Sequence, residues 1–268
     1  MVIGIIGTGK MGSTLVEGLY STNQKDQIFV YNRTYEKALC LKNRFNQLEI
    51  VNTPEAVVEN SGVVVLAVPF SFIENMSMAV FNTLKSVNPF VIVLCGYVPL
   101  KILEKHCPGK VAKAFPNINW ACGSGVTIVS FGDQIKASER PMVLEFLSSL
   151  GDVYEVEEAE FRAFSNLMSC GPALWLKIID LFIKANVMKY GINRALAFEV
   201  SEKTILGTFK LMHKNGFKFD EIINLVSTPG GVTEVGLSIF EKYLPAVFSK
   251  TIEMISERDV ARMKALQH

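Results

Sequence analysis

Val2-Ile3-Gly4-Ile5-Ile6-Gly7-Thr8-Gly9-Lys10-Met11-Gly12 decides the fold of this 268-residue chain. Residues 2–6 form a short apolar run that reads as a strand, and the glycines at 7, 9 and 12 follow it at GxGxxG spacing. Residues 11–21 then read as a helix. Strand, glycine turn and helix in this order open a doubly wound βαβ fold that binds a dinucleotide. Gly7 permits the tight turn, Gly9 lets the backbone approach a pyrophosphate, and Gly12 lets helix and strand pack closely. The first N–H groups of the helix and its positive dipole end then face the phosphates. Thr8, Lys10 and Met11 complete the expected cofactor contacts of the turn.

Outward from this motif, strands are expected at residues 28–31, 49–52, 63–68, 90–94, 111–115, 126–131 and 153–155. Helices between them are expected at 34–45, 54–60, 73–87, 100–106 and 140–150. This alternation predicts βαβ units around a mostly parallel sheet. The run at 63–68 is apolar without alternation, as befits a strand covered on both faces. After residue 157 the strand signals stop. Helices are expected at 158–167, 172–190, 194–213, 220–226, 233–240 and 243–266. The fold class is therefore α/β, with a Rossmann-type domain over 1–157 and an all-α domain over 158–268. Pro172 suits a first helical turn and Gly191 a helix stop. The helix between them is apolar on most sides, with Leu174, Ile178 and Phe182 opposite Trp175, Ile179 and Ile183. Such a helix is either central or shared between subunits.

The end of the second strand selects the nucleotide. An Asp or Glu about 20 residues after the glycine motif would bind the ribose 2′-hydroxyl of NAD. Here the chain reads Tyr31-Asn32-Arg33-Thr34, with no carboxylate to repel a 2′-phosphate. Arg33 can form charge-assisted hydrogen bonds to that phosphate, helped by Asn32 and Thr34. The cofactor is expected to be NADP(H). Further contacts should lie beyond later strand ends, at Ala67-Val68-Pro69, at Cys95-Gly96-Tyr97 and at Pro116-Asn117. Asn117 can bond a nicotinamide amide or a substrate, or can serve the turn it begins.

Composition excludes several classes. With 27 Lys+Arg against 26 Asp+Glu, the net charge of +1 offers no basic excess for nucleic acid. Hydrophobic residues make up 49% and the mean hydropathy is +0.28. The most apolar runs are nevertheless too short to span a bilayer, and Lys177, Asp180, Lys184 and Lys189 interrupt the longest. The apolar excess is expected in a core or a subunit interface, not in a membrane. The N-terminal residues lack a basic leader pattern, so a cytoplasmic location is expected. The five cysteines show no CxxC spacing, and no two of the three histidines stand at ligand spacing, so no metal is expected.

At these residues the chain resembles the pyrroline-5-carboxylate reductase family over nearly its whole length. The likeness rests on Gly7–Gly12, on Asn32-Arg33, on Pro116-Asn117 and on Gly171-Pro172-Ala173. It is most specific at Ser227-Thr228-Pro229-Gly230-Gly231-Val232-Thr233, which is similar to the family's Ser/Thr-Pro-Gly-Gly-x-Thr loop. The resemblance implies an NADPH-dependent reductase with an all-helical dimerisation domain, forming a homodimer or higher homo-oligomer. It implies a site where that loop of a partner subunit meets the nicotinamide. Thr228, Gly230, Gly231, Val232, Thr233 and Asn117 would then bind a small carboxylated cyclic imine, with Thr233 as the catalytic hydrogen-bond partner of the ring nitrogen. Such chemistry needs no histidine, because the cofactor supplies the hydride. Three departures stand out. Val68-Pro69 replaces the family's Lys-Pro, Ile118-Asn119 replaces Thr-Pro, and Met168-Ser169-Cys170 replaces Ser-Gly-Ser. The Ser169–Ala173 wording is closer to the late-competence ComER-type branch, which implies the alternative of an NADP(H)-binding regulator. A deazaflavin-dependent NADP reductase shares the first domain, but the Pro-Gly-Gly-Val-Thr loop and the long helical half oppose it.

Overall fold

The computed structural model describes residues 1–22 and 26–264. The chain divides into two compact units, residues 1–170 and 171–264. The first contains eight strands: β1 (Val2–Ile6), β2 (Gln27–Tyr31), β3 (Leu48–Ile50), β4 (Val63–Leu66), β5 (Phe90–Val93), β6 (Lys110–Pro116), β7 (Gly125–Phe131) and β8 (Gly151–Glu155). They form one sheet in the order β3-β2-β1-β4-β5-β6-β7-β8. All pairs are parallel except β6–β7. The expected doubly wound, mostly parallel sheet is thus present. Its order reverses between β1 and β4, which opens the crevice at the carboxyl ends of the strands where dinucleotides bind.

Alternate residues of the central strands feed two cores. Ile3, Ile5, Val63 and Val65 face the helices α1 (Lys10–Ser21), α2 (Tyr35–Arg44) and α7 (Arg140–Ser148). Ile6, Val64, Leu66, Val91 and Val93 face α3 (Pro54–Glu59), α4 (Phe70–Glu74), α5 (Met78–Val87) and α6 (Leu100–His106). The single helix expected over 73–87 is two helices. Ser77 starts the second, its hydroxyl accepting from the Val80 N–H at 3.3 Å.

Helix α8 (Phe161–Met168) packs in the first unit, burying Phe161, Ser165 and Met168. The attachment is electrostatic as well as apolar. Lys113, a 3% exposed lysine of β6, donates to Glu158 Oε1 at 2.7 Å and lies 4.6 Å from the Phe161 ring centre. The same oxygen accepts from the Leu100 N–H at 2.7 Å, so one carboxylate ties β6, α6 and the start of α8 together. Burying a lysine costs more than its packing returns unless such a partner compensates.

The second unit is all-helical: α9 (Gly171–Tyr190), α10 (Arg194–Asn215), α11 (Phe219–Val226) and α12 (Val232–Lys264). The two helices expected over 233–240 and 243–266 are one, continuous through Pro245. Residues 265 and 266 lie outside the described residues. Ring contacts on both sides of the proline hold it to α9, Phe182–Phe240 at 6.4 Å and Trp175–Phe248 at 6.2 Å. Large apolar side chains of this unit stand in solvent, among them Phe182 at 61% and Met188 at 86% exposure.

Among the described residues one stretch, Glu158–Tyr190, is long and apolar enough to cross a membrane by length and composition. Its first part is docked on the sheet through α8. Further along, Asp180 is surrounded by Lys184 at 2.7 Å, Lys177 at 3.6 Å and Arg194 at 3.5 Å. Those charges would all require hydration or pairing at membrane depth.

Candidate dinucleotide cleft and glycine-proline loop

The carboxyl ends of β1, β2 and β4 open onto a cleft of about 570 Å³. It brings together Gly7, Gly9, Asn32, Arg33, Thr34, Ala67, Val68 and Pro69, all expected there from sequence. The turn that shapes it is sterically specific. Gly7 holds φ +99°, and a Cβ there would stand 2.6 Å from the Ala67 carbonyl oxygen. A Cβ on Gly12 would sit 1.9 Å from the Gly7 carbonyl oxygen, so this residue sets the closeness of helix to turn. A Cβ on Gly9 would meet nothing within 4 Å. Gly9 therefore serves the cleft rather than the packing.

Asn32 joins the glycine turn to the nucleotide-selecting turn. Its Oδ1 accepts from the Thr8 N–H at 2.9 Å, and its Nδ2 donates to the Thr34 carbonyl at 2.8 Å. These two bonds let Asn32 brace both turns while it lines the cleft. Arg33 is exposed on the cleft, and among the described residues it makes no ion pair. Lys37 lines the same cleft, again without an ion pair among those residues. The sequence reading missed it. Its spacing of four from Arg33, in the first turn of α2, was the available signal. Ser71, Phe72 and Asn75 also line the cleft and were not expected.

Thr8, Lys10, Met11 and Gly12 do not line this cleft. Met11 packs partly against the core, and Lys10 is exposed at the start of α1. The Thr8 hydroxyl is buried and finds no hydrogen-bond partner among the described residues. Two features fit a dinucleotide carrying an extra phosphate: the open space over Gly9 and, among the described residues, two cations without carboxylate partners. Asn117 is buried, and its Oδ1 accepts from the N–H groups of Asn119 at 3.3 Å and Val126 at 3.1 Å. That carbonyl serves the turn between β6 and β7.

In the helical unit, Thr228 to Gly231 form a tight turn, with the Gly231 N–H donating to the Thr228 carbonyl at 2.8 Å. Pro229 presets the second position, and Gly230 supplies the positive φ of the third, at +75°. Helix α12 begins directly after the turn at Val232, which is 91% exposed. Thr233 is the second residue of this helix. The Gly230 N–H donates to Glu234 Oε2 at 2.7 Å, a contact absent from the sequence reading. The N–H groups of Val232 and Thr233 belong to the first turn of α12 and have no intrahelical acceptor. Among the described residues no group of three or more His, Cys, Asp or Glu could hold a metal.

This fold and cleft define a dinucleotide-binding α/β domain followed by an all-helical unit. Residues 2–92 match the family model of NADP oxidoreductases described as coenzyme F420-dependent, and residues 158–261 match the pyrroline-5-carboxylate reductase dimerisation domain. The chain is 28% identical to ComE operon protein 4 of Bacillus subtilis, covering all of both chains. It is 29% identical to pyrroline-5-carboxylate reductase of Aquifex aeolicus, covering 90% of this chain and 89% of that one. Its fold is similar to that of Plasmodium falciparum pyrroline carboxylate reductase with NADP bound. The TM-score there is 0.79 at 23% identity, covering 100% of this chain and 98% of the other. The chain is thus similar in sequence to pyrroline-5-carboxylate reductase and to ComE operon protein 4 over nearly its whole length. The likeness to the model described as coenzyme F420-dependent covers residues 2–92, and the helical half matches the dimerisation domain instead.

Proposed function

We propose that the protein reduces the C=N bond of a small carboxylated cyclic imine with NADPH, in the manner of pyrroline-5-carboxylate reduction in proline biosynthesis. The observation that carries this reading is the Thr228–Thr233 turn with its helix-starting N–H groups, in a chain that also has a dinucleotide cleft with free cations. Arg33 and Lys37 would hold the 2′-phosphate, while Gly7 and Gly9 would let the backbone cradle the pyrophosphate. The bound cofactor supplies the hydride to the imine carbon. The protein's part is orientation and polarisation. N–H groups of the glycine-proline loop would grip the substrate carboxylate. The Thr233 hydroxyl would hydrogen-bond the ring nitrogen, keeping the C=N plane fixed and its electrons drawn toward nitrogen. The exposed apolar faces of the helical unit would be covered by a second copy of the chain, giving a homodimer or a larger homo-oligomer.

The test is NADPH oxidation followed at 340 nm with pyrroline-5-carboxylate and other cyclic imines. Thr233→Ala should lower turnover by roughly 10²-fold, the size expected for losing one oriented donor. Unchanged turnover in that variant would refute the assignment. A second reading is favoured by Val68-Pro69, by Met168-Ser169-Cys170 and by the full-length likeness to ComE operon protein 4: an NADP(H)-binding regulator without efficient turnover. Tight NADPH binding with no oxidation on any imine supports that reading over the first.

A further inference from the structure

We propose that Glu234 is a specificity-determining residue, its carboxylate competing with that of the substrate for the glycine-proline loop. This rests on the assignment of residues 228–233 as the substrate loop. Glu234 Oε2 accepts from the Gly230 N–H at 2.7 Å. The neighbouring Gly231 N–H is taken by the closing bond of the turn, to the Thr228 carbonyl at 2.8 Å. In this arrangement neither glycine N–H of the loop is open to a ligand. The rotamer of Glu234 alone decides whether the Gly230 donor is available, because the Gly231 bond belongs to the turn itself.

Two carboxylates at one small donor set repel each other, and the positive end of α12 can satisfy one of them at little cost but not both. A carboxylated substrate that takes the Gly230 N–H as well as the first N–H groups of α12 must displace Glu234, and its apparent affinity is multiplied by the fraction of molecules in which Glu234 is swung away. A charge-assisted hydrogen bond of this kind is enough to change affinity about tenfold. A ring imine without a carboxylate needs no displacement and binds beside the Glu234–Gly230 contact. The expected result is a loop that discriminates less strongly for the carboxylate than the same loop without Glu234.

The experiment compares wild type, Glu234→Gln and Glu234→Ala in the full-length chain, with pyrroline-5-carboxylate and with 1-pyrroline, the same ring lacking the carboxylate. In Glu234→Ala the KM for pyrroline-5-carboxylate should fall about tenfold. Glu234→Gln should lie between the two, and kcat and the KM for 1-pyrroline should hold steady. A KM that is unchanged or raised for the carboxylate, or one that moves in parallel for both rings, overturns the proposal. Calorimetric titration of the NADP⁺-saturated protein with proline and with pyrrolidine decides the same question without turnover. Tighter proline binding in Glu234→Ala, with pyrrolidine unchanged, supports it, and equal proline affinity overturns it. If no variant oxidises NADPH with either imine, the reductase reading fails while the titration still judges the role of Glu234.

Discussion

Replacing Gly9 and Gly12 separately by alanine separates the cofactor's need for glycine from the fold's. At Gly9 the backbone is at φ −72° and ψ −164°, which any L-residue adopts, and a Cβ meets no protein atom within 4 Å. Gly9→Ala should therefore leave the fold intact and stabilise it by about 0.4–1 kcal/mol through the unfolded chain. That corresponds to a Tm that is unchanged or raised by roughly 1–4 °C. The added methyl enters the cleft where the pyrophosphate would approach. Losing one charge-assisted hydrogen bond there costs about 1.5–3 kcal/mol, or about 10- to 100-fold in Kd for NADPH. At Gly12 the Cβ would stand 1.9 Å from a backbone oxygen, so helix and turn must separate. That overpacking costs about 1–3 kcal/mol and should lower Tm by roughly 2–10 °C. Thermal unfolding without ligand, paired with NADPH fluorescence titration, reads both effects. A Gly9→Ala protein that binds NADPH as tightly as wild type would refute the cleft as a pyrophosphate site. One that loses stability would refute the assignment of Gly9 to the ligand alone.

Arg33→Ala and Lys37→Ala should each weaken NADPH binding by about tenfold, the value of one phosphate contact, and leave NADH binding unchanged. Equal losses for the two nucleotides would remove both residues from the 2′-phosphate. The third prediction concerns Cys107, whose thiol is pushed up to about 12 by burial. The unfolded thiol ionises near its ordinary value of about 8.5, so this group's contribution to stability is complete below that pH. It is lost as pH rises toward 12, because only the unfolded chain releases the proton there. The stability difference between wild type and Cys107→Ala, measured by urea unfolding, should therefore narrow between pH 8 and 10. Parallel pH profiles for the two proteins would contradict it.

The central strands were legible in the sequence because they are short apolar runs set off by turn residues, a local property. Even the antiparallel β6–β7 pair has a local cause. Only residues 117–124 separate the two strands, too few for the crossover that a parallel pair needs. The helix over 73–87 was misread because its apolar residues continue through Asn75 and Ser77, and the capping hydroxyl decides the break. Pro245 misled in the opposite direction. It removes one helical hydrogen bond, but aromatic contacts to α9 on either side hold α12 continuous.

The two units also divide differently from the expected boundary at residue 157. Strand signals do end there, yet α8 packs in the first unit, where Glu158 and Phe161 meet Lys113. The family model for the dimerisation domain nevertheless begins at 158. Glu158, just before α8, pairs with a lysine 45 residues away in sequence, and no local pattern announces such a pairing.

By itself the sequence determined the βαβ order, the glycine turn and the absence of a carboxylate at the nucleotide-selecting position. Each follows from residue type and spacing along a few turns of chain. Only the tertiary structure decided that Asn32 braces Thr8 across 24 residues, that Lys37 joins Arg33 on the cleft, and that Glu234 closes on Gly230. Those outcomes depend on where side chains point and which backbone donors remain unpaired once the turns have formed. The fold sets both quantities, and residue spacing alone does not.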